Sequence, residues 1–172
     1  IFMPKPEDKT LPKLQISGKK LLLFVGRLDP IKGLEILIRA IAIIENRSDT
    51  HLIIAGGELP DGKLGQSLLS LARDLSIDHL ITILGSIDHE VLPNYYNAAD
   101  ILVLPSYHES FGLVALEAMS CGTPVVAARV GGLRYLVNDG QTGYLVSRHC
   151  PQSYAMYIDS LLSNDHLRRS LG

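Results

Sequence analysis

The 172-residue sequence predicts an α/β fold, a doubly wound parallel sheet of about six strands with helices on both faces. Two features predict it. Short β-rich apolar runs alternate with longer stretches of helical period, six times in succession. The runs are also near-continuous Leu, Ile and Val rather than alternately apolar and polar, which implies strands buried on both faces, as in a parallel sheet covered by helices. Together they describe a Rossmann-like domain.

The elements follow in order. Lys20–Val25 (KLLLFV) is the first predicted strand, and the helical period resumes over Gly33–Glu45 after the loop GRLDPIKG. His51–Ala55 (HLIIA) is the second strand, followed past AGGELPDG by a helix over Leu64–Leu75. Leu80–Leu84 (LITIL) and a helix over His89–Ala98 form the third unit, and Ile101–Leu104 (ILVL) with Phe111–Cys121 the fourth. Val125–Ala128 (VVAA) precedes a short helix at Leu133–Val137, Gly143–Val146 (GYLV) is the sixth strand, and a terminal helical region starts at Gln152. Residues 1–18 read as a Pro- and Lys-containing linker and 19–172 as the folded domain. The ends read as those of a domain cut from a longer chain, because the terminal helical pattern is still running at residue 172.

A hydrophobic content of 47% suffices for a core that folds without staples. The formal charge of -2 comes with no basic tail or stripe, so nucleic acid is not expected as a partner. Cys121 and Cys150 have neither metal-ligand spacing nor a CxxC pair, which fits a reducing, cytoplasmic setting. No apolar run approaches the ~20 residues that span a bilayer.

In such a fold, ligands bind where the carboxyl ends of the strands run into helix N-termini. The first of these loops brings Arg27 and Lys32 to the rim, a fork and a point charge suited to a diphosphate. The alternative is that Arg27 pairs with Asp29 while Lys32 is solvated. Gly56 and Gly57 allow close backbone approach to a ligand, or simply make a turn. No GxGxxG follows the first strand and no Walker motif is present, which argues against nicotinamide dinucleotides and P-loop chemistry. In SYHESFGLVALEAMSCGTPVV, Glu109 lies in the loop after the fourth strand and Ser110 is a plausible N-cap. The amides of Phe111, Gly112 and Leu113 then form a first turn that favours an anion. Glu117 sits two turns along a helix that reads as buried most of the way round, where an unpaired carboxylate is costly, so it is expected to be paired or to face a cleft. The alternative is a solvent-facing glutamate.

VGRLDPIKG, LPNYYNAADILVLPSYHESFGLVALEAMSCGTPVVAARVGG and DGQTGYLV, taken in order, resemble the C-terminal donor-binding domain of retaining GT-B glycosyltransferases of family 4. The wording is closest to inositol-phosphate N-acetylglucosaminyltransferases and next to sucrose-phosphate synthases. The resemblance implies the C-terminal half of a GT-B fold that binds a nucleotide diphosphate sugar, a UDP-sugar above all. It also implies transfer of the hexosyl unit to an acceptor hydroxyl with retention of anomeric configuration. The acceptor, and any peripheral membrane association, would belong to an N-terminal domain absent from this chain, so the isolated domain is expected to be inactive.

By the same resemblance Arg27 and Lys32 meet the donor diphosphate, Glu109 the sugar hydroxyls and Glu117 the ribose, while Ile87 lies where the base is read. Arg27, Lys32 and Glu109 would carry catalysis. Gly26, Gly56, Gly57, Ser110, Phe111, Gly112, Leu113 and Val114 complete the donor-binding set. Tyr135 departs from the acid common at that position. Thr123 and Tyr96-Asn97-Ala98-Ala99 match a cation-linked segment, but hydroxyl and carbonyl oxygens alone make a poor metal site, and no required metal or other cofactor is expected. A nucleotide-sugar 2-epimerase-like enzyme and a non-catalytic α/β interaction module remain the alternative readings.

Overall fold

The computed structural model describes residues 2–5, 11, 16, 18–57 and 60–172. Most of the expected linker lies outside the described residues. Six strands, β1 (Lys20–Val25), β2 (Thr50–Ala55), β3 (Ile81–Gly85), β4 (Ile101–Leu104), β5 (Val125–Ala128) and β6 (Gly143–Val146), form one sheet in the order β3-β2-β1-β4-β5-β6. Every pairing is parallel, with Leu22 of β1 opposite both Leu52 of β2 and Ile101 of β4. All residues of β2, β4 and β5 are buried, which is why these runs show no in/out alternation.

Among the described residues seven α-helices flank the sheet: α1 (Leu34–Ile41), α2 (Lys63–Asp74), α3 (Leu92–Ala98), α4 (Leu113–Ser120), α5 (Leu133–Leu136), α6 (Pro151–Leu162) and α7 (Asp165–Leu171). Helix α1 packs against α2 and α6, while α4 packs against α3 and α5, so the sheet is covered on both sides. This is the expected doubly wound, Rossmann-like architecture.

Several boundaries differ from the expected ones for identifiable reasons. Helix α1 stops at Ile41 rather than Glu45, because the Ile43 amide bonds the Ala40 carbonyl and the chain tightens out of α geometry. Helix α3 starts at Leu92 rather than His89, with Pro93 in its first turn, where a missing N–H costs nothing. Strand β3 begins one residue late because 78–80 form a 3-10 turn. The terminal helical region is two helices, and Asn164 divides them by accepting from the Leu167 amide at 2.9 Å.

Helix α7 is tied to the amino end of the sheet. Arg168, 7% exposed, places Nε 3.3 Å from Asp100 Oδ1 and donates to the Leu161 carbonyl, while Asp100 Oδ2 accepts from the Leu21 amide at 2.8 Å. At the other end the order reverses between β1 and β4, so the loops that follow them diverge and leave a crevice.

Candidate functional site

The crevice is a cleft of about 370 Å³, walled by Gly26, Arg27 and Lys32 on one side and by Glu109 to Val114 on the other. The loop after β1 folds into a 3-10 turn, Pro30–Lys32, which Asp29 caps by accepting from the Ile31 amide at 3.0 Å. The Ile31 carbonyl accepts in turn from the Tyr107 amide at 2.8 Å, so the turn that carries Lys32 is fastened to the loop after β4.

Across the cleft Lys32 Nζ lies 2.7 Å from Glu109 Oε2, with the two side chains 20% and 21% exposed. Lys32 is therefore not solvated. Arg27 is 80% exposed and reaches Asp29 only at 3.9 Å, a distance beyond a hydrogen bond and worth little in water. The Arg27–Asp29 alternative is thus present, but as a loose contact.

The N-cap of α4 is Gly112, not Ser110, and the helix starts at Leu113 rather than Phe111. Gly112 adopts φ 93°, a left-handed conformation open to glycine, and Ser110 and Phe111 stay in the loop. The amides that an α-helix leaves unpaired here are those of Leu113 and Val114, since the Ala115 amide already bonds the Gly112 carbonyl. The amide set at the helix start is shifted accordingly by one to two residues from the expected Phe111-Gly112-Leu113.

Helix α4 is also less buried than its composition suggests. Only Ala115 and Ala118 are buried, while Leu113 and Leu116 are 60% and 42% exposed. The small alanine face is turned to the core, with Val114 and Met119 partly buried beside it, while Leu113 and Leu116 project outward. Glu117 is nevertheless 18% exposed and is paired rather than solvent-facing: Tyr96 Oη donates to its Oε2 at 2.7 Å and His89 Nε2 lies 3.2 Å from its Oε1. Burial, and then the bond to Glu117, pushes the Tyr96 hydroxyl far above the usual phenol range, so it is a permanent donor.

The structure brings Gly26, Arg27, Lys32, Glu109, Ser110, Phe111, Gly112, Leu113 and Val114 around one cleft. It places Gly56, Gly57, Ile87 and Glu117 outside that lining. Gly56 and Gly57 pack against the β1 loop, where a Cβ on Gly56 would stand 2.7 Å from the Gly26 carbonyl oxygen, so close approach of backbone to backbone is their local role. Ile87 is half-buried in the loop after β3.

Sequence reasoning missed Phe24, Leu104 and Ser106, which line the cleft. The buried Ser106 Oγ has no hydrogen-bond partner among the described residues. It also missed the purpose of Gly131-Gly132. The Gly132 amide donates to the Glu109 carbonyl at 3.1 Å, and a Cβ on Gly131, at φ 47°, would stand 1.6 Å from that same oxygen. The two glycines let the loop after β5 support the backbone of Glu109. Tyr135 is 78% exposed, with the Arg134 guanidinium 4.8 Å from its ring centre. In the cation-linked segment Thr123 Oγ1 donates to the Tyr96 carbonyl at 2.7 Å, and the described residues hold no group of three or more His, Cys, Asp or Glu placed for a metal.

The family described as glycosyl transferases group 1 matches residues 6–172. A D-inositol 3-phosphate glycosyltransferase of Corynebacterium diphtheriae is 44% identical over 179 aligned residues, which take in 100% of this chain and 42% of that protein. Among solved structures, a sucrose-phosphate synthase from Thermosynechococcus elongatus superposes with a TM-score of 0.87 at 38% identity, over 99% of this chain and 42% of that one. The Anabaena protein HepE, solved in complex with UDP and glucose, superposes with a TM-score of 0.89 at 28% identity, over 99% of this chain and 46% of that one. The chain thus spans less than half the length of each of these relatives, and its fold corresponds to the C-terminal half of the GT-B architecture. On the family match and the 44% identity across its whole length, the chain belongs to the glycosyl transferases of group 1.

Proposed function

We propose that residues 19–172 form the donor-binding domain of a retaining hexosyltransferase: it binds a nucleotide diphosphate sugar, a UDP-sugar, and works with an N-terminal domain that supplies the acceptor hydroxyl. The observation that carries the reading is the Lys32–Glu109 pair across the cleft at the β1/β4 switch point, next to the start of α4. A cation and a carboxylate that neutralise each other across a cleft are placed to be separated by a ligand with a phosphate for one and hydroxyls for the other. The complex of the similar HepE with UDP and glucose supports that choice of ligand.

Within this reading Lys32, the exposed Arg27 and the amides of Leu113 and Val114 face the diphosphate. They stabilise the charge that grows on it as the anomeric bond breaks. Glu109 accepts hydrogen bonds from the sugar hydroxyls and orients the donor. Glu117 takes the ribose hydroxyls, and the loop at Ile87 meets the base. Neither carboxylate needs to act as a nucleophile, because the leaving phosphate can receive the acceptor's proton. Cytoplasmic placement belongs to the same reading, supported by the free thiols of Cys121 and Cys150. No helix among the described residues is long and apolar enough to cross a membrane.

The test is isothermal titration of this chain with UDP, UDP-glucose, UDP-N-acetylglucosamine and GDP-mannose. Binding of at least one uridine ligand, with no transfer activity by the domain alone, is expected. Failure of all four to bind a chain with native circular dichroism would overturn the assignment.

A further inference from the structure

We propose that Tyr96 is a positioning residue that fixes the Glu117 carboxylate so that one of its oxygens, Oε1, is presented to the ribose. The proposal rests on the reading of Glu117 as the ribose contact. The two oxygens of Glu117 have unlike surroundings. Oε2 accepts from Tyr96 Oη at 2.7 Å, and Tyr96 is fully buried, so solvent does not compete for that bond. Oε1 meets only His89 Nε2 at 3.2 Å among the described residues; the His89 side chain is 67% exposed and its ring rests edge-on against Phe2, with centroids 5.1 Å apart. One oxygen is anchored from inside; the other is held from outside by an exposed partner.

The anchor is itself held at both ends. The Tyr96 carbonyl accepts from Thr123 Oγ1 at 2.7 Å, and Thr123 is 2% exposed just beyond the C-terminus of α4. The Tyr96 ring meets Phe2 edge-on, with centroids 5.9 Å apart. Tyr96 thus links α3 to both the middle and the end of α4. A carboxylate turns easily about its last side-chain torsion, which is broad and two-fold, and a fixed donor on one oxygen removes that freedom. Gripping a ribose diol needs the carboxylate held in one plane, and an ordered acceptor spares the cost of ordering it on binding. Full burial rules out contact between Tyr96 and the nucleotide, so its effect must pass through Glu117.

The experiment compares UDP with 2′,3′-dideoxy-UDP, which lacks the hydroxyls Glu117 would meet, by titration into wild type and Tyr96→Phe. Wild type is expected to prefer UDP by about 10-fold, the scale of a hydrogen bond to a charged group. Tyr96→Phe is expected to lose most of that preference by weakening UDP alone, with dideoxy-UDP binding unchanged. A preference kept by Tyr96→Phe overturns the proposal. An equal weakening of both ligands also overturns it, since that marks a merely structural role. If wild type binds UDP but shows no preference, the ribose assignment of Glu117 falls, and this proposal with it, while the diphosphate reading stands. Should Tyr96→Phe not fold, Thr123→Val loosens Tyr96 from its carbonyl end; a reduced preference supports the proposal and an unchanged one overturns it.

Discussion

Lys32 Nζ and Glu109 Oε2, 2.7 Å apart, join the loop after β1 to the loop after β4 across the mouth of the cleft. The two substitutions that break this pair should have different signatures. Lys32→Met removes the charge that faces the phosphates and leaves Glu109 partly buried without its cation, so UDP affinity should fall by 10-fold or more, on the order of 1.5–3 kcal/mol. Glu109→Gln frees Lys32, so UDP should bind as well as before, whereas any gain of UDP-glucose over UDP should disappear. Calorimetric titration reads both. Parallel losses of UDP affinity in the two variants would refute the division of labour.

Glycine at 131 is demanded by the approach of the loop after β5 to Glu109. A methyl group there would stand 1.6 Å from the Glu109 carbonyl oxygen at a backbone φ of 47°, so Gly131→Ala must push the two loops apart. Strain of this kind costs on the order of 1–3 kcal/mol. The variant should unfold at lower urea and should also lose UDP-sugar affinity, because the displaced backbone carries Glu109. Unchanged stability and affinity would show that the contact relaxes freely.

What was legible in the sequence depended on how local its cause was. Strands β1, β4, β5 and β6 run between the expected residues because burial on both faces selects unbroken apolar runs, a signal contained in each segment. Ser110 read as a cap because its hydroxyl could serve. The structure instead turns at Gly112, whose left-handed φ favours glycine and beside which Leu133 and Leu136 leave little room for a Cβ. That Glu117 is paired follows from the apolar helix around it, but which residue pairs it was not legible. Tyr96 lies 21 residues earlier on another helix, and a tyrosine in an apolar stretch reads as core until its hydroxyl is seen to meet a carboxylate. The sequence places Arg27 and Lys32 as cations on the rim, but only the fold shows that Lys32 crosses to Glu109 while Arg27 stays in solvent.

At the opposite end of the sheet, Arg168 supports the fold rather than the site. Its contacts with Asp100 and the Leu161 carbonyl are buried, and removing one partner of a buried pair costs about 3–5 kcal/mol because the other is left in a poorly solvating environment. Arg168→Met should lose stability on this scale in urea unfolding, while the fraction that remains folded binds UDP with wild-type affinity. A loss below about 1 kcal/mol would mean that water and the remaining partners of Asp100, the Leu21 amide among them, hold its charge without Arg168.

His51, on β2, gives the domain a component of acid sensitivity. It is 8% exposed, its Nε2 lies 2.8 Å from Thr82 Oγ1, and burial, followed by the charges of Lys19 and His79, brings its pKa down to about 4 from 6.5. The folded chain therefore resists a proton that the unfolded chain accepts. The stability owed to neutral His51 is fully present above pH 6.5 and is lost progressively as the pH falls towards 4. In His51→Gln, which keeps an amide able to meet Thr82, this component is absent. Carboxylates titrating in the same window are common to both proteins and cancel in the difference. The stability advantage of wild type over His51→Gln, from urea midpoints, should therefore shrink steadily between pH 6.5 and 4. A difference constant across that window would place the acid sensitivity elsewhere and mean that His51 is protonated in the folded domain as readily as in the unfolded chain.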